Sequence, residues 1–137
     1  MTGGAVRDFI LDFPINDYDF AVENNTREIS YEFSKMISGK LIELDDKHNI
    51  YRVVKNKVEY DFTKFKGKNI IEDLLNRDFS INALAINHND FSYLNDISEK
   101  SRKIRKEILL DPANGKYDIK NSIIRALNSK IFVKDPI

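Results

Sequence analysis

The amino-acid sequence predicts an α+β fold, one small mixed sheet with helices packed on one side. Three observations predict it. A strand-like alternation comes early, at Asp17 to Val22; a helical pattern follows from Thr26; and three strand-like runs then succeed one another before helical character returns. The 137 residues are read as a single domain, 1–137, long enough to bury a hydrophobic core.

Met1 to Gly4 reaches a glycine pair at once and reads as a turn. Ala5 to Leu11 can form a short helical turn, which Pro14 ends by resetting the backbone. In Asp17-Tyr18-Asp19-Phe20-Ala21-Val22 the apolar Tyr18, Phe20 and Val22 share one face, and Asp17 and Asp19 share the other. Thr26 is the expected N-cap of a helix whose buried stripe would be Ile29, Phe33, Met36 and Ile37, with Gly39 closing it. Lys40 to Leu44 and Ile50 to Val54 read as strands joined by a polar turn at Asp45 to Asn49, and Val58 to Phe65 as a third.

Ile70 to Leu75 is a short amphipathic helix, and Phe79 to Ile86 a compact apolar segment. Ser98 to Leu109 reads as a charged helix with Ile104 and Ile108 on one face. Asp111-Pro112 and Asn114-Gly115 mark turns, and Asp118 to Leu127 reads as a helix running into a final strand.

Composition narrows the function. The 22 Lys+Arg and 22 Asp+Glu balance, so no global field draws the whole chain onto a polyanion, and any RNA contact must be local. The lack of cysteine excludes disulfides and thiolate zinc sites. No apolar run approaches the ~18 residues of a membrane span, and no leader-like N-terminal pattern appears. These features point to a cytoplasmic protein without a membrane partner. His48 and His88 sit in polar, turn-like contexts with no partner at metal-ligand spacing, and the aromatic residues are spread along apolar faces as core rather than as a base-stacking platform.

Three constellations can carry chemistry. Adjacent glycines at Gly3-Gly4 let backbone N–H groups converge on an anion, and Arg7 on the following helical turn can add a fork of donors; the same pair also serves as a plain turn. Asp17 and Asp19 share one strand face, where two repelling carboxylates can clamp a divalent ion, or stand as two solvated acids. Asp61 lies between Tyr60 and Phe62 on an apolar-flanked strand, where an acid needs a reason to exist. Arg77, Asp78 and Asn82 punctuate a strongly apolar run that could equally be a capped, buried helix start.

Taken together these segments resemble class II tRNA nucleotidyltransferases (the CCA-adding enzymes) and bacterial poly(A) polymerases. Gly3-Gly4-Ala5-Val6-Arg7-Asp8 with Asp17-Tyr18-Asp19 is similar to their GGxVRD…DxD signature, and Glu72 to Ala83 to their (E)DLxRRDFTINA segment. Asp111-Pro112 through Gly115, Asp118 and Ile123-Ile124-Arg125-Ala126-Leu127 resemble the DPFGG…DL…IIRA stretch that closes the head domain. The motifs come in the family's order and span nearly the whole chain.

The resemblance implies a nucleotidyltransferase head of the polymerase-beta-like fold. It implies that Asp17, Asp19 and Asp61 hold catalytic Mg²⁺, two ions in all. Gly3, Gly4 and Arg7 would then contact the incoming triphosphate, and Arg77, Asp78 and Asn82 the nucleotide's sugar and phosphates. The implied reaction is attack by an RNA 3′-hydroxyl, that of tRNA above all, on the α-phosphate of CTP or ATP, with release of pyrophosphate.

The sequence departs from the pattern in places. Asn76 replaces the first Arg of RRD, Lys66 stands where Arg is usual, and Asp111-Pro112-Ala113-Asn114-Gly115 lacks the aromatic residue. Residues 86–110 are far longer than the expected short hairpin and carry Lys100, Arg102, Lys103, Arg105 and Lys106, a basic run that either meets RNA or is a solvated face. Ile131 to Ile137 looks like the start of the family's F(V/I)EDPLR stretch. The expectation is therefore a head truncated at both ends, with neck, body and tail domains absent or supplied by a complementing chain. Two other readings stand beside this one: a different DxD enzyme such as a sugar-nucleotide transferase, and a folded but inactive fragment.

Overall fold

The computed structural model describes residues 1–87 and 108–128. Its elements are α1 (Gly3–Ile10), β1 (Asp17–Val22), α2 (Thr26–Met36), β2 (Lys40–Asp45), β3 (Ile50–Lys55), β4 (Val58–Lys64), α3 (Ile70–Leu75), a 3₁₀ turn (Ser80–Asn82), β5 (Ala85–Ile86), β6 (Leu109–Leu110) and α4 (Gly115–Lys120). The main sheet runs β1-β4-β3-β2. β1 and β4 are parallel while β4, β3 and β2 are antiparallel, so the sheet is mixed, as expected.

Alternation along β1 and β4 separates an apolar from a polar face. Tyr18 and Tyr60, register partners, stack at 5.2 Å between ring centroids, and Phe20 and Phe62 at 5.1 Å. Phe33 of α2 packs across Tyr60 and Phe62 at 5.0 and 5.3 Å, each such pair contributing about 0.5–1.5 kcal/mol beyond area burial. Rings from both strands thus hold α2 to this face. Met1, Ala5 and Val6 pack with Leu84 and Ile86 in a core cluster that Tyr18 and Phe20 also touch, which places α1 on the same side. The opposite face carries Asp17, Asp19, Glu59, Asp61 and Arg52 and is left to the chemistry.

Several local expectations are corrected. Met1 to Gly4 is not a turn: Thr2 bridges Asp19 on one side and Ala85 on the other, joining β1 to β5, and the helix starts at Gly3. On α2, Asn25 takes the cap position in the left-handed conformation and Thr26 is the first helical residue, buried. Ile29 and Met36 are exposed, 42% and 75%, whereas Ser30 and Ser34 are buried. Burial of these serines is tolerable because each hydroxyl donates to a carbonyl three residues back, Ser30 to Arg27 and Ser34 to Tyr31, and their small size lets the helix backbone approach the sheet. Ser38, not Gly39, is the left-handed residue after the helix.

The apolar segment 79–86 resolves into the 3₁₀ turn and β5. β5 pairs with β6, so the long segment between Ala85 and Asp111 emerges from a hairpin whose two closing strands are in place. The basic run and most of the Ser98–Leu109 helix expectation lie outside the described residues, as do His88 and Ile131 to Ile137; Leu109 itself is in β6, not a helix. α4 begins at Gly115, earlier than expected, and ends at Lys120, after which Ala126 bridges Phe79. His48 is at the surface, as expected, paired with Asp45. Among the described residues, no helix is long and apolar enough to cross a membrane.

Candidate active site

Gly3 stands where the Thr2 bridge hands over to α1, and its φ of +68° is open to glycine and strained for other residues. Its N–H donates to Leu84 O at 3.1 Å. A Cβ placed on Gly3 would lie 2.9 Å from Arg77 Nη1 and 3.3 Å from Asp19 Oδ2. The backbone therefore passes between a guanidinium and a carboxylate, and a side chain there would have to displace the end of Arg77. Thr2, Gly3, Gly4, Asp19, Lys66, Asp73, Asn76, Arg77, Asp78 and Asn82 share one open cleft of about 340 Å³, whose floor includes Ala21 and Thr63 at the ends of β1 and β4.

Arg77 is aimed by two groups. Its Nη2 donates to Thr2 Oγ1 at 3.0 Å and to Asp73 Oδ2 at 3.1 Å, while its Nε is buried with no partner. Asp73 is itself buried, and its other oxygen accepts the Lys66 N–H at 2.7 Å. Asp73 thus ties the segment after β4 to the arginine. Arg7 Nη1 donates to Asn82 Oδ1 at 2.9 Å, and its Nη2 lies against Gly4. Arg7 also pairs with Asp8 at 2.8 Å. Of the expected nucleotide-binding residues, Gly3, Gly4, Arg77, Asp78 and Asn82 line the cleft directly, and Arg7 stands behind through Asn82.

The three acids share one sheet face, but not one orientation. Asp19 and Asp61 are register partners on β1 and β4, and Asp17 is one face-sharing step along. Asp19 is half-buried in the cleft, and its carboxyl is pushed above its ordinary value, first by burial and then by Asp61, with Arg77 opposing. It is therefore no solvated surface acid. Asp61 instead turns both oxygens to Arg52 of β3, Nε to Oδ1 at 2.7 Å and Nη2 to Oδ2 at 2.8 Å. Among the described residues, no three His, Cys, Asp or Glu side chains gather closely enough to hold one ion between them. Asp17 and Asp19 nevertheless fit a hard cation: oxygen donors on one face, one of them held back from ionising by burial and like charge, a cost that a divalent ion offsets.

The segment that carries Asp78 and Asn82 is held from beneath. Ser80 Oγ donates to the fully buried Asp118 at 2.5 Å, and Arg125 grips the same carboxylate with Nε at 2.9 Å and Nη2 at 3.0 Å. The Ser80 N–H donates to Arg125 O at 3.0 Å and the Leu127 N–H to Asp78 O at 2.9 Å. Sequence reasoning missed Arg52, Asp73 and Thr2. Asp73 had a signal: an acid inside an apolar helix, four residues before Arg77. Arg52 had none until strand register placed it opposite Asp61.

Known proteins resemble this chain over nearly its whole length. Residues 1–125 match the model of the Poly A polymerase head domain. The CC-adding tRNA nucleotidyltransferase of Geobacter sulfurreducens is 32% identical over 98% of this chain and 28% of its own length. The A-adding tRNA nucleotidyltransferase of Halalkalibacterium halodurans is 27% identical over 99% of this chain and 32% of its own. A solved tRNA nucleotidyltransferase complexed with a primer tRNA and an incoming ATP analogue superposes with a TM-score of 0.76, at 28% identity, over 98% of this chain and 37% of that one. The chain thus spans about a third or less of the length of these relatives.

Proposed function

The chain belongs to the poly(A) polymerase head-domain family, and on that premise we propose that it is the catalytic head of a template-independent RNA nucleotidyltransferase. It transfers CMP or AMP from CTP or ATP to the 3′-hydroxyl of tRNA and releases pyrophosphate. The observation that carries the reading is the passage of Gly3 between Arg77 and Asp19 at the mouth of one cleft. It sets a glycine backbone, a guanidinium and a carboxylate around the space where a metal-bound triphosphate would lie.

In this reading Gly3 and Gly4 let the triphosphate approach the backbone. Arg77, aimed by Thr2 and Asp73, neutralises phosphate charge, and Arg7 holds Asn82 toward the sugar. Asp78 lines the rim at the nucleotide's edge. Asp17 and Asp19 would hold Mg²⁺, with Asp61 as the third carboxylate once it is released from Arg52, and two ions would be used. Bound magnesium supplies Lewis-acid activation of the attacking hydroxyl and neutralisation of the triphosphate. The 3′-oxygen forms a bond to the α-phosphorus as the bond to the β-phosphate bridge breaks, and the chain's part is positioning and charge, with no covalent intermediate.

Relatives named for CC addition and for A addition match this chain about equally well, 32% and 27% identical, which supports a head that does not itself choose the base. We assign that choice, and the grip on tRNA, to neck, body and tail regions on the same polypeptide or a complementing chain, working in the cytoplasm. The chain alone then binds magnesium and nucleotide with little base selectivity. The test is magnesium-dependent binding of CTP and ATP by the chain and by the D17A/D19A double variant. Loss of binding in the variant supports the proposal; equal binding by both would reject it in favour of an inactive module.

A further inference from the structure

Arg52 projects from the middle of β3 onto the face that carries Asp17, Asp19, Glu59 and Asp61. Each of its three guanidinium nitrogens has a carboxylate partner: Nε and Nη2 the two oxygens of Asp61 at 2.7 and 2.8 Å, and Nη1 Glu59 Oε2 at 2.8 Å. The carboxylate that should face Asp19 therefore faces a cation of the protein's own. Parallel fork bonds of this kind are the strong form of the Arg–carboxylate pair, and arginine cannot lose its proton to escape. The fork opens only if something else satisfies Asp61.

We propose that Arg52 is an internal counter-ion that occupies Asp61 in the metal-free chain and competes with a divalent ion for that carboxylate. Ion binding at this face is then coupled to opening of the Arg52–Asp61 fork. The inference rests on the reading of Asp17, Asp19 and Asp61 as the divalent-ion site. Two features favour it over a merely structural cross-strand pair. The side chain of Arg52 is 30% exposed rather than locked in the core, and Glu59 already holds Nη1, so the guanidinium keeps a partner when Asp61 is withdrawn. Arg52 is thus a positioning residue, acting through Asp61.

The experiment is titration of the 137-residue chain with Mn²⁺, followed by the electron paramagnetic resonance of the free ion, for wild type, R52Q, R52K, D61N, R52Q/D61N and D19N. R52Q should bind Mn²⁺ roughly tenfold more tightly, since a unit positive charge leaves the site and Asp61 is freed. R52K keeps the charge but loses the fork, and should still tighten binding about threefold. In the D61N background the R52Q gain should shrink to about twofold or less, because the freed ligand is no longer there. An equal gain with and without Asp61, or R52K matching wild type, would mean that charge alone acts and would overturn the proposal. If R52Q does not fold, judged by circular dichroism, R52K carries the test. Mn²⁺ binding that needs Asp19 but ignores Arg52 would sink only this inference. Failure of every variant to bind Mn²⁺, or wild-type binding by D19N, would remove the ion-site reading and this inference with it.

Discussion

Arg77 stands so close over Gly3 that a Cβ on the glycine would lie 2.9 Å from Nη1, nearer than a real Cβ comes to any neighbour. Two costs therefore meet in Gly3→Ala. The left-handed backbone, φ +68°, strains an L-residue by roughly 1–2 kcal/mol, and the methyl displaces the arginine that faces the cleft. We expect a lower melting temperature and magnesium–triphosphate binding weakened by about tenfold, the equivalent of ~1.4 kcal/mol, measured by calorimetry. Unchanged binding would separate Arg77 from the nucleotide.

Gly115 makes the tighter contact: a Cβ there would fall 2.1 Å from the backbone oxygen of Ser80. Backbone cannot rotate away as a side chain can. Gly115→Ala should cost about 1–3 kcal/mol, read as a lower urea midpoint at unchanged slope. Because the displaced turn carries Asn82, nucleotide binding should fall as well.

Asp118 supplies an acid limb to the stability curve. Arg125 first, and Ser80 second, hold its carboxyl below the ordinary 3.8. The unfolded chain therefore takes up this proton first, so the stabilisation is present above pH 3.8 and is lost as pH falls through the lower folded value. Thermal melts of D118N should start from a lower plateau at neutral pH and lack that limb, meeting wild type at the acid end.

Asp19 works in the opposite sense. Burial, then Asp61, raises its carboxyl above 3.8, so the folded chain holds this proton more tightly than the unfolded one. Its contribution is complete below that value and is lost as pH rises through the folded pKa, leaving the ionised group a net cost at neutral pH. The D19N variant, melted in chelator, should be more stable than wild type at neutral pH and equal to it below about pH 3.8. A D19N chain less stable at neutral pH would contradict the burial account and weaken Asp19 as a cation ligand.

Much of this molecule could be read from local pattern. Period-two alternation at 17–22 placed Tyr18 and Phe20 inside and Asp17 and Asp19 together on the other face, and α3 fell at Ile70–Leu75 as expected. Such features depend on neighbours in sequence, where backbone geometry alone decides which side chains share a face. What failed were contacts set by distant partners. Ser30 and Ser34 are buried in place of Ile29 and Met36 because the sheet, not helical hydrophobicity, decides which face of α2 is covered. Asp61 was legible as an acid with a purpose, but its partner Arg52 became visible only when β3 and β4 were set in register. Register is a long-range choice with a period of two, and nothing within either strand announces which residue will stand opposite.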